Sequence, residues 1–356
     1  MTEPLVSICI PTCNRASLLE RSLDSILHQD YPTLEILVGD NASTDETEML
    51  CRKLASRNSR IIYIRREKNI GIYPNHNDLI NRSRGDLVAF FHDDDEFDPS
   101  LVREEVSFLM EHPNAGLVSP DWQLVDEQGR LLGQRIHPVP ALQKGFHYIE
   151  RTLRSGQSSV GLSGTMIRRS VLGHSRLNEN GPIGFADFVL WFELAERSWV
   201  GHIPKPLYSY RLHTQSLSRR SIVSISADYR QVLEQFCDQH LARWPNHASQ
   251  VRRWTRQIHR YLFWMLVYEI ILHQSRRGLD KKQSPLRYRT VFEWIDYRLT
   301  EKELQEALAL IRSYPGDLLE RAVQQGIPFL LKMRWTWPLE RLVSHTPSLR
   351  GFLGLQ

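Results

Sequence analysis

The first apolar run, residues 5–10, is rich in branched side chains, stops at Pro11, and is followed by Leu18, Leu19, Leu23, Ile26 and Leu27 at helical spacing. A strand, a loop and a helix are expected. The alternation recurs, with residues 34–38 as a second strand, Ser43 and Glu46 as a capping box, and a helix running to about residue 57. Residues 61–64 and 87–91 supply two more strands, separated by a helix around residues 75–83. Asp98-Pro99 then reads as the N-cap and first residue of a helix ending near residue 111. Strands alternating with helices predict an α/β fold with a mostly parallel sheet covered on both faces. Residues 115–170 mix short strands with Gly- and Pro-containing loops, and from residue 221 onward the pattern is mainly α-helical without repeats.

Charge changes at the same place. Of 45 Lys and Arg and 41 Asp and Glu in 356 residues, positions 221–356 hold 20 basic and 13 acidic side chains, so positions 1–220 are net acidic. The expected organisation is a catalytic domain over residues 1–220 and a helical region over 221–356 that makes acceptor, membrane-surface or oligomer contacts. Four cysteines are too few and too scattered for a disulfide framework, and Cys9 with Cys13 lacks the second pair a zinc site needs. They read as reduced thiols of a cytoplasmic protein. No basic leader precedes the first strand, and the longest strongly apolar run, residues 261–272, is interrupted by Glu269 and too short to span a bilayer. The chain is expected to be soluble or peripheral on the inner face of the cell membrane.

In open α/β sheets, ligands sit beyond the carboxyl ends of the strands, where loops converge on a crevice. The notable polar residues of this chain fall there. Thr12, Asn14 and Arg15 follow the first strand, Asp40 and Asn41 the second, and Asp93, Asp94 and Asp95 the strand ending at Phe91. In an extended stretch residues i and i+2 share a side, so Asp93 and Asp95 are expected to face the crevice together and Asp94 to face away. A divalent cation would relieve their repulsion, and oxygen ligands favour Mn²⁺ or Mg²⁺. A calcium loop is excluded because its glycine and distal glutamate are missing. His92 reads as a core residue at the strand end.

Taken in order, Pro11-Thr12-Cys13-Asn14-Arg15, Asp40-Asn41-Ala42-Ser43-Thr44-Asp45, Asn69-Ile70-Gly71 and the triple aspartate resemble the family-2 glycosyltransferases, whose catalytic domain is the Rossmann-like GT-A fold. The match covers about residues 4–215. The resemblance implies that Pro11, Thr12 and Arg15 line the nucleoside pocket, with Asn14, Asn69, Gly71 and Asp94 also on the nucleotide side. It implies that Asp40 binds the base, usually uracil, that Asp93 lies near ribose or metal, and that Asp95 is the direct metal ligand. The loop Gly161-Leu162-Ser163-Gly164-Thr165 is either a close approach for a sugar or a plain turn. Asp187, at the start of a helix carrying Leu190, Trp191, Leu194 and Ala195, takes the place of the catalytic base, although Ala186 stands where an acidic residue often precedes it. An N-cap or first-turn aspartate would look the same. His213, after Tyr210-Arg211-Leu212, suits a metal ligand, a diphosphate contact or a structural role.

The implied reaction is metal-dependent, inverting transfer from a UDP- or dTDP-sugar to a hydroxyl of a surface glycan or lipid-linked saccharide. A nucleotidyltransferase making a nucleotide sugar would normally begin with a Gly-rich loop, and residues 10–16 contain no glycine. An inactive nucleotide- or saccharide-binding module is the alternative outside enzymes. Toward the C-terminus, Arg252, Arg253, Arg256 and Arg260 interleave with Trp254, Tyr261, Phe263 and Trp264, and Lys332 and Arg334 adjoin Trp335 and Trp337. This composition suits an anionic membrane interface or the solvated face of a helical bundle, and no nucleic-acid motif accompanies it.

Overall fold

The computed structural model describes residues 3–155, 158–180, 186–213 and scattered helical positions from 227 to 306. The chain forms two compact units, Met1–Ser216 and Leu217–Gln356. Gly184-Phe185 and most of the expected helical region 221–356, including Trp254, Arg260, Tyr261, Trp264, Lys332 and Trp337, lie outside the described residues. Among the described residues no helix is long and apolar enough to cross a membrane.

The first unit opens with β1 (Val6–Thr12), α1 (Ala16–Leu27), β2 (Leu34–Asp40), α2 (Thr47–Arg57), β3 (Ile61–Arg65), α3 (Ile72–Arg82) and β4 (Leu87–Phe90). There follow β5 (Glu96–Phe97), α4 (Leu101–Glu111), β6 (Ala115–Val125), β7 (Leu131–Arg135), β8 (Leu142–Lys144), α5 (Gly145–Ser155), β9 (Thr165–Arg168), α6 (Arg169–Leu172), α7 (Ala186–Ala195) and β10 (Trp199–Arg211). One sheet runs β3-β2-β1-β4-β9-β6-β10-β5, with β7 beside β6 and β8 beside β10.

The sheet is mixed rather than mostly parallel. Strands β3, β2, β1 and β4 are parallel, as is the β6–β10 pair, but β9 runs antiparallel to both β4 and β6, and β5, β7 and β8 are antiparallel too. Connection length explains part of this. Parallel neighbours need a crossover of about a dozen residues or more, whereas β6 returns into β7 through residues 126–130 alone.

Every residue of β1 and β2 is buried, as expected of strands covered on both faces. Leu19, Leu23 and Ile26 of α1 join Ile8, Ile10, Ile36 and Val38 in the main core. Against β2, α3 approaches closely at Gly39, where a Cβ would lie 2.8 Å from Asn75 Oδ1 and 3.0 Å from Leu79. The helix starts at Ile72, earlier than the sequence pattern suggests. Gly71, at φ 94°, turns the chain into it, and Pro74 falls in the first turn, where no amide donor is needed. The expected capping box is replaced as well. Ser43 Oγ accepts the Asn14 amide at 2.9 Å, and Asp45 Oδ1 instead receives the Thr47 amide at 3.1 Å and its hydroxyl at 2.6 Å, so α2 begins at Thr47.

Strand order fixes where the site lies. From β1 the chain steps outward to β2 and β3, then returns to place β4 on the other side of β1. The order reverses between β1 and β4, so the loops leaving these strands splay apart and open a crevice. Residues 12–15 and 91–95 leave the sheet there.

Glu105 of α4 is wholly buried beside Leu101, Val102, Val106 and Leu109, and neither of its oxygens makes a hydrogen bond among the described residues. Burial pushes its acid well above the ordinary 4.5, and the nearby Met166 amide offsets only part of that. Folding therefore takes up a proton. The stability associated with the neutral acid is complete below the unfolded value and is lost as pH rises toward the folded one. Glu105→Leu is expected to stabilise the protein by about 1–3 kcal/mol at pH 8. The gain should shrink below pH ~4.5, where the unfolded carboxyl is also neutral, and urea unfolding at the two pH values checks both effects.

Candidate active site

On one side of the crevice, the loops after β1 and β2 brace one another. Asn14 sits at φ 54°, a conformation its short polar side chain tolerates, and its Oδ1 accepts the Thr44 amide at 2.7 Å. Asn41 spans to the third loop, donating to Asn69 Oδ1 at 2.9 Å and to the Gly71 carbonyl at 3.1 Å, and accepting the Ile70 amide at 2.8 Å. Asn69 Oδ1 also receives the Gly71 amide at 2.9 Å. Thr12 is buried, and Cys13 reaches the Asn41 carbonyl at 3.4 Å.

Asp40, expected to meet the base, is completely buried. Its Oδ1 accepts the Ser43 amide at 2.8 Å, and its Oδ2 accepts the Tyr63 hydroxyl at 2.5 Å and Arg65 Nη1 at 3.0 Å. The chain itself engages both oxygens, so Asp40 shapes the loop that Ser43 and Arg65 share. Tyr63 and Arg65 lie on β3, where alternation gave no sign that they would converge on β2.

The acidic segment after β4 is a turn, not an extended stretch. Residues 93 and 94 form the turn, which removes the strand alternation that would set Asp93 with Asp95. Arg15 Nη1 lies 3.0 Å from Asp93 Oδ1 and 3.0 Å from Asp94 Oδ2. His213 Nε2 contacts the same Asp94 oxygen at 2.9 Å. Asp94 thus faces the crevice instead of pointing away. Asp95 is fully buried, its Oδ1 accepting the Arg211 amide at 3.2 Å while its Oδ2 has no hydrogen-bond partner among the described residues. His92 Nδ1 stands 3.8 Å from that oxygen.

Electrostatics follow from this crowding. Burial and the neighbouring Asp94 charge push Asp93 up to about 6, against the pull of Arg15. Burial and Asp94 together drive Asp95 well above the carboxylate range. Asp94 is also penalised by burial, but contact with His213, His92 and Arg15 holds it below its ordinary value. His92, Asp94 and Asp95 each offer one ligand atom, all within 4.8 Å of one another, a group that could hold a metal ion. A cation there would find a buried carboxylate oxygen without a partner and a mixed nitrogen and oxygen donor set, so these residues fit a divalent metal. Asp93, expected among the ligands, pairs with Arg15 and is not in this group.

Neighbouring loops fix the turn. The Phe90 carbonyl accepts the Gly164 amide at 2.8 Å, and Ser163 Oγ accepts the His92 amide at 3.3 Å. Gly164, at φ 69°, has no room for a side chain, since a Cβ would lie 2.9 Å from the Tyr208 ring. Packing on Tyr208 therefore accounts for this glycine. The Arg211 guanidinium pairs with Glu96 and donates to the carbonyls of Asp126 and Glu127, so it meets a carboxylate of the domain.

Asp187 lies in the first turn of α7, partly buried. Burial pushes its acid up to about 7, against the backbone amides of Asp187 and Phe188 and the Trp191 indole. One turn on, Trp191 packs against Phe90 with ring centroids 6.1 Å apart, so the helix bearing Asp187 rests on the strand that leads into the acidic turn. His92, expected as a core residue of the strand end, instead groups with Asp94 and Asp95. Three consecutive aspartates favour a turn over a strand, and a turn groups residue 92 with 94 and 95.

Comparison with known proteins agrees with this architecture. The family model for glycosyl transferase family 2 matches residues 7–175. The uncharacterized protein MT1568 of Mycobacterium tuberculosis is 28% identical over 311 residues, covering 81% of this chain and 91% of that protein. GalNAc(5)-diNAcBac-PP-undecaprenol beta-1,3-glucosyltransferase of Campylobacter jejuni is 30% identical over 215 residues, 60% of this chain and 66% of that protein. The mannosyltransferase PcManGT of Pyrobaculum calidifontis, solved with GDP-Man and Mn²⁺, superposes with a TM-score of 0.55 at 16% identity, over 100% of this chain and 86% of its own. With its GT-A fold and a family model that matches residues 7–175, this chain belongs to glycosyl transferase family 2 and is a glycosyltransferase.

Proposed function

We propose that this glycosyltransferase moves a sugar from a UDP- or dTDP-linked donor, with inversion, to a hydroxyl of a surface glycan or lipid-linked saccharide, using Mn²⁺ or Mg²⁺. The observation that carries the reading is the convergence of His92, Asp94 and Asp95 on one point at the β1–β4 crevice, beside Arg15. Asp94 and Asp95 would hold the cation, with His92 and His213 beside them, and a cation bound there would offset the charge of the departing diphosphate. The braced loops of Pro11, Thr12, Asn14, Asn69 and Gly71 form the nucleoside pocket, with Asp40 holding its floor. Arg15 meets the nucleotide from the same side, next to Asp93. Asp187 accepts the acceptor's proton, and attack from the face opposite the diphosphate inverts the anomeric centre.

The Campylobacter jejuni relative is by name a glucosyltransferase of an undecaprenol-linked saccharide, which supports a lipid-linked acceptor. The Pyrobaculum calidifontis complex contains Mn²⁺, which supports a divalent cation. Residues 1–220 form the catalytic domain in this reading, and the basic, aromatic-rich region 221–356 brings the enzyme to the inner face of the cell membrane.

UDP is expected to bind weakly without a divalent cation, and Asp95→Ala to remove the metal-dependent part of its affinity. Calorimetry with UDP, dTDP and GDP, with and without Mn²⁺, tests this and reads the base together. Equal UDP affinity in both conditions would sink the metal claim.

Asp187→Asn should leave UDP binding intact and lower transfer by on the order of 10² or more. Because the acid sits at about 7, the wild-type rate should fall as pH drops through 7 and Asp187 gains its proton. A variant with near wild-type rates, or a product of retained configuration, would overturn the assignment.

The full chain is expected to sediment with anionic liposomes at low salt and to release at high salt, each basic side chain near the surface contributing roughly 1 kcal/mol. Failure to sediment at either salt concentration would argue for a packing or oligomer role instead.

A further inference from the structure

The acidic turn carries a histidine where only carboxylates were expected to act. The His92 side chain is about a quarter exposed, so the crevice reaches it, and its Nε2 has no hydrogen-bond partner among the described residues. Behind it lies His76 of α3, ring centroids 6.3 Å apart, wholly buried with both nitrogens likewise without a partner. No hydrogen bond from His76 ties His92 down as a core residue. On the crevice side, His92 Nδ1 stands 3.8 Å from Asp95 Oδ2, the buried carboxylate oxygen that also has no partner. His213 Nε2 adds a second imidazole nitrogen, 2.9 Å from Asp94 Oδ2.

We propose that His92 is a direct ligand of the divalent cation, and that its imidazole makes this site select Mn²⁺ over Mg²⁺. The inference rests on the metal-dependent reading above and adds to it a ligand and a selectivity. Mg²⁺ takes oxygen ligands and gives up its waters reluctantly, whereas Mn²⁺ accepts imidazole nitrogen beside carboxylate oxygen. An imidazole nitrogen beside two carboxylates therefore suits Mn²⁺ better than a set of oxygens alone would. Asp93, held by Arg15, is left outside the shell, and the segment supplies its ligands from positions 92, 94 and 95.

The test uses the full chain and Mn²⁺ itself, read by electron paramagnetic resonance, with circular dichroism to confirm that each variant folds. Spin-echo modulation from ¹⁴N reports an imidazole bonded to the ion independently of turnover. In a His213→Asn background the modulation should persist, and it should vanish when His92→Asn is added. His92→Asn alone should weaken Mn²⁺ binding by about tenfold or more and leave Mg²⁺ competition nearly unchanged, as expected for loss of a nitrogen ligand. His92→Asp, which supplies an oxygen in its place, should narrow the Mn²⁺ over Mg²⁺ preference by about tenfold. The proposal is overturned if ¹⁴N modulation disappears with His213→Asn alone, or if His92→Asn binds Mn²⁺ as the wild type does. If the wild type takes up no Mn²⁺ with or without UDP, the metal-dependent reading falls as well, an outcome distinct from Mn²⁺ binding without His92.

Discussion

Repulsion among three successive carboxylates, the outer two buried, is the constraint around which the first unit is organised. Two unit charges about 4 Å apart interact by about 4 kcal/mol at a near-surface dielectric, so Asp93, Asp94 and Asp95 cannot all ionise without cations or donors at hand. The partners that meet this demand come from the ends of strands other than β4. Arg15 arrives from the end of β1, the next strand over from β4, and touches both Asp93 and Asp94. The Arg211 amide and His213 arrive from the end of β10, which reaches the turn because β5, two residues beyond Asp94, pairs with it. Asp95 Oδ2 is left over, and it is the atom a metal would complete.

The same strand end connects the acidic turn to Asp187. Trp191 leans on Phe90, and Phe90 precedes the turn by two residues, so α7 and the turn share a rigid support. On the opposite side, the loops after β1, β2 and β3 are locked through Asn14, Asn41 and Asn69 before any ligand is bound. Loops braced in this way would lose little ordering entropy on taking a ligand. Asp40 ties Ser43, Tyr63 and Arg65 into the same set of loops.

Much of this was legible in the sequence where the pattern was local. The runs that became β1, β2 and β4 are fully buried parallel strands with branched side chains, β3 at the sheet edge is only partly buried, and helical spacing marked α1. The turn residues after β1 and β4 were also visible, because the crevice rule needs only strand order. What stayed hidden was non-local. Antiparallel β9 slots between β4 and β6 although 74 residues separate Phe90 from Thr165, its partner in register, and no periodicity encodes that pairing. The grouping of His92 with Asp94 and Asp95 was missed because alternation was applied to residues that form a turn, and Asp40 was judged without sight of Tyr63 and Arg65 on the neighbouring strand.

The position of β9 also bears on how a nascent chain acquires this site. On a ribosome, β3, β2, β1 and β4 can pair once residue 90 has emerged, since their partners lie within that length. Strand β6 follows soon after, but its link to β4 is β9, so it must wait for residues 165–168 before joining the same sheet. The acidic turn waits longer still, because its last donors, the Arg211 amide and His213, leave the exit tunnel only after β10 has been made. Arg15 is thus made early, and the last hydrogen-bond partners of Asp94 and Asp95 come only with the final stretch of the domain.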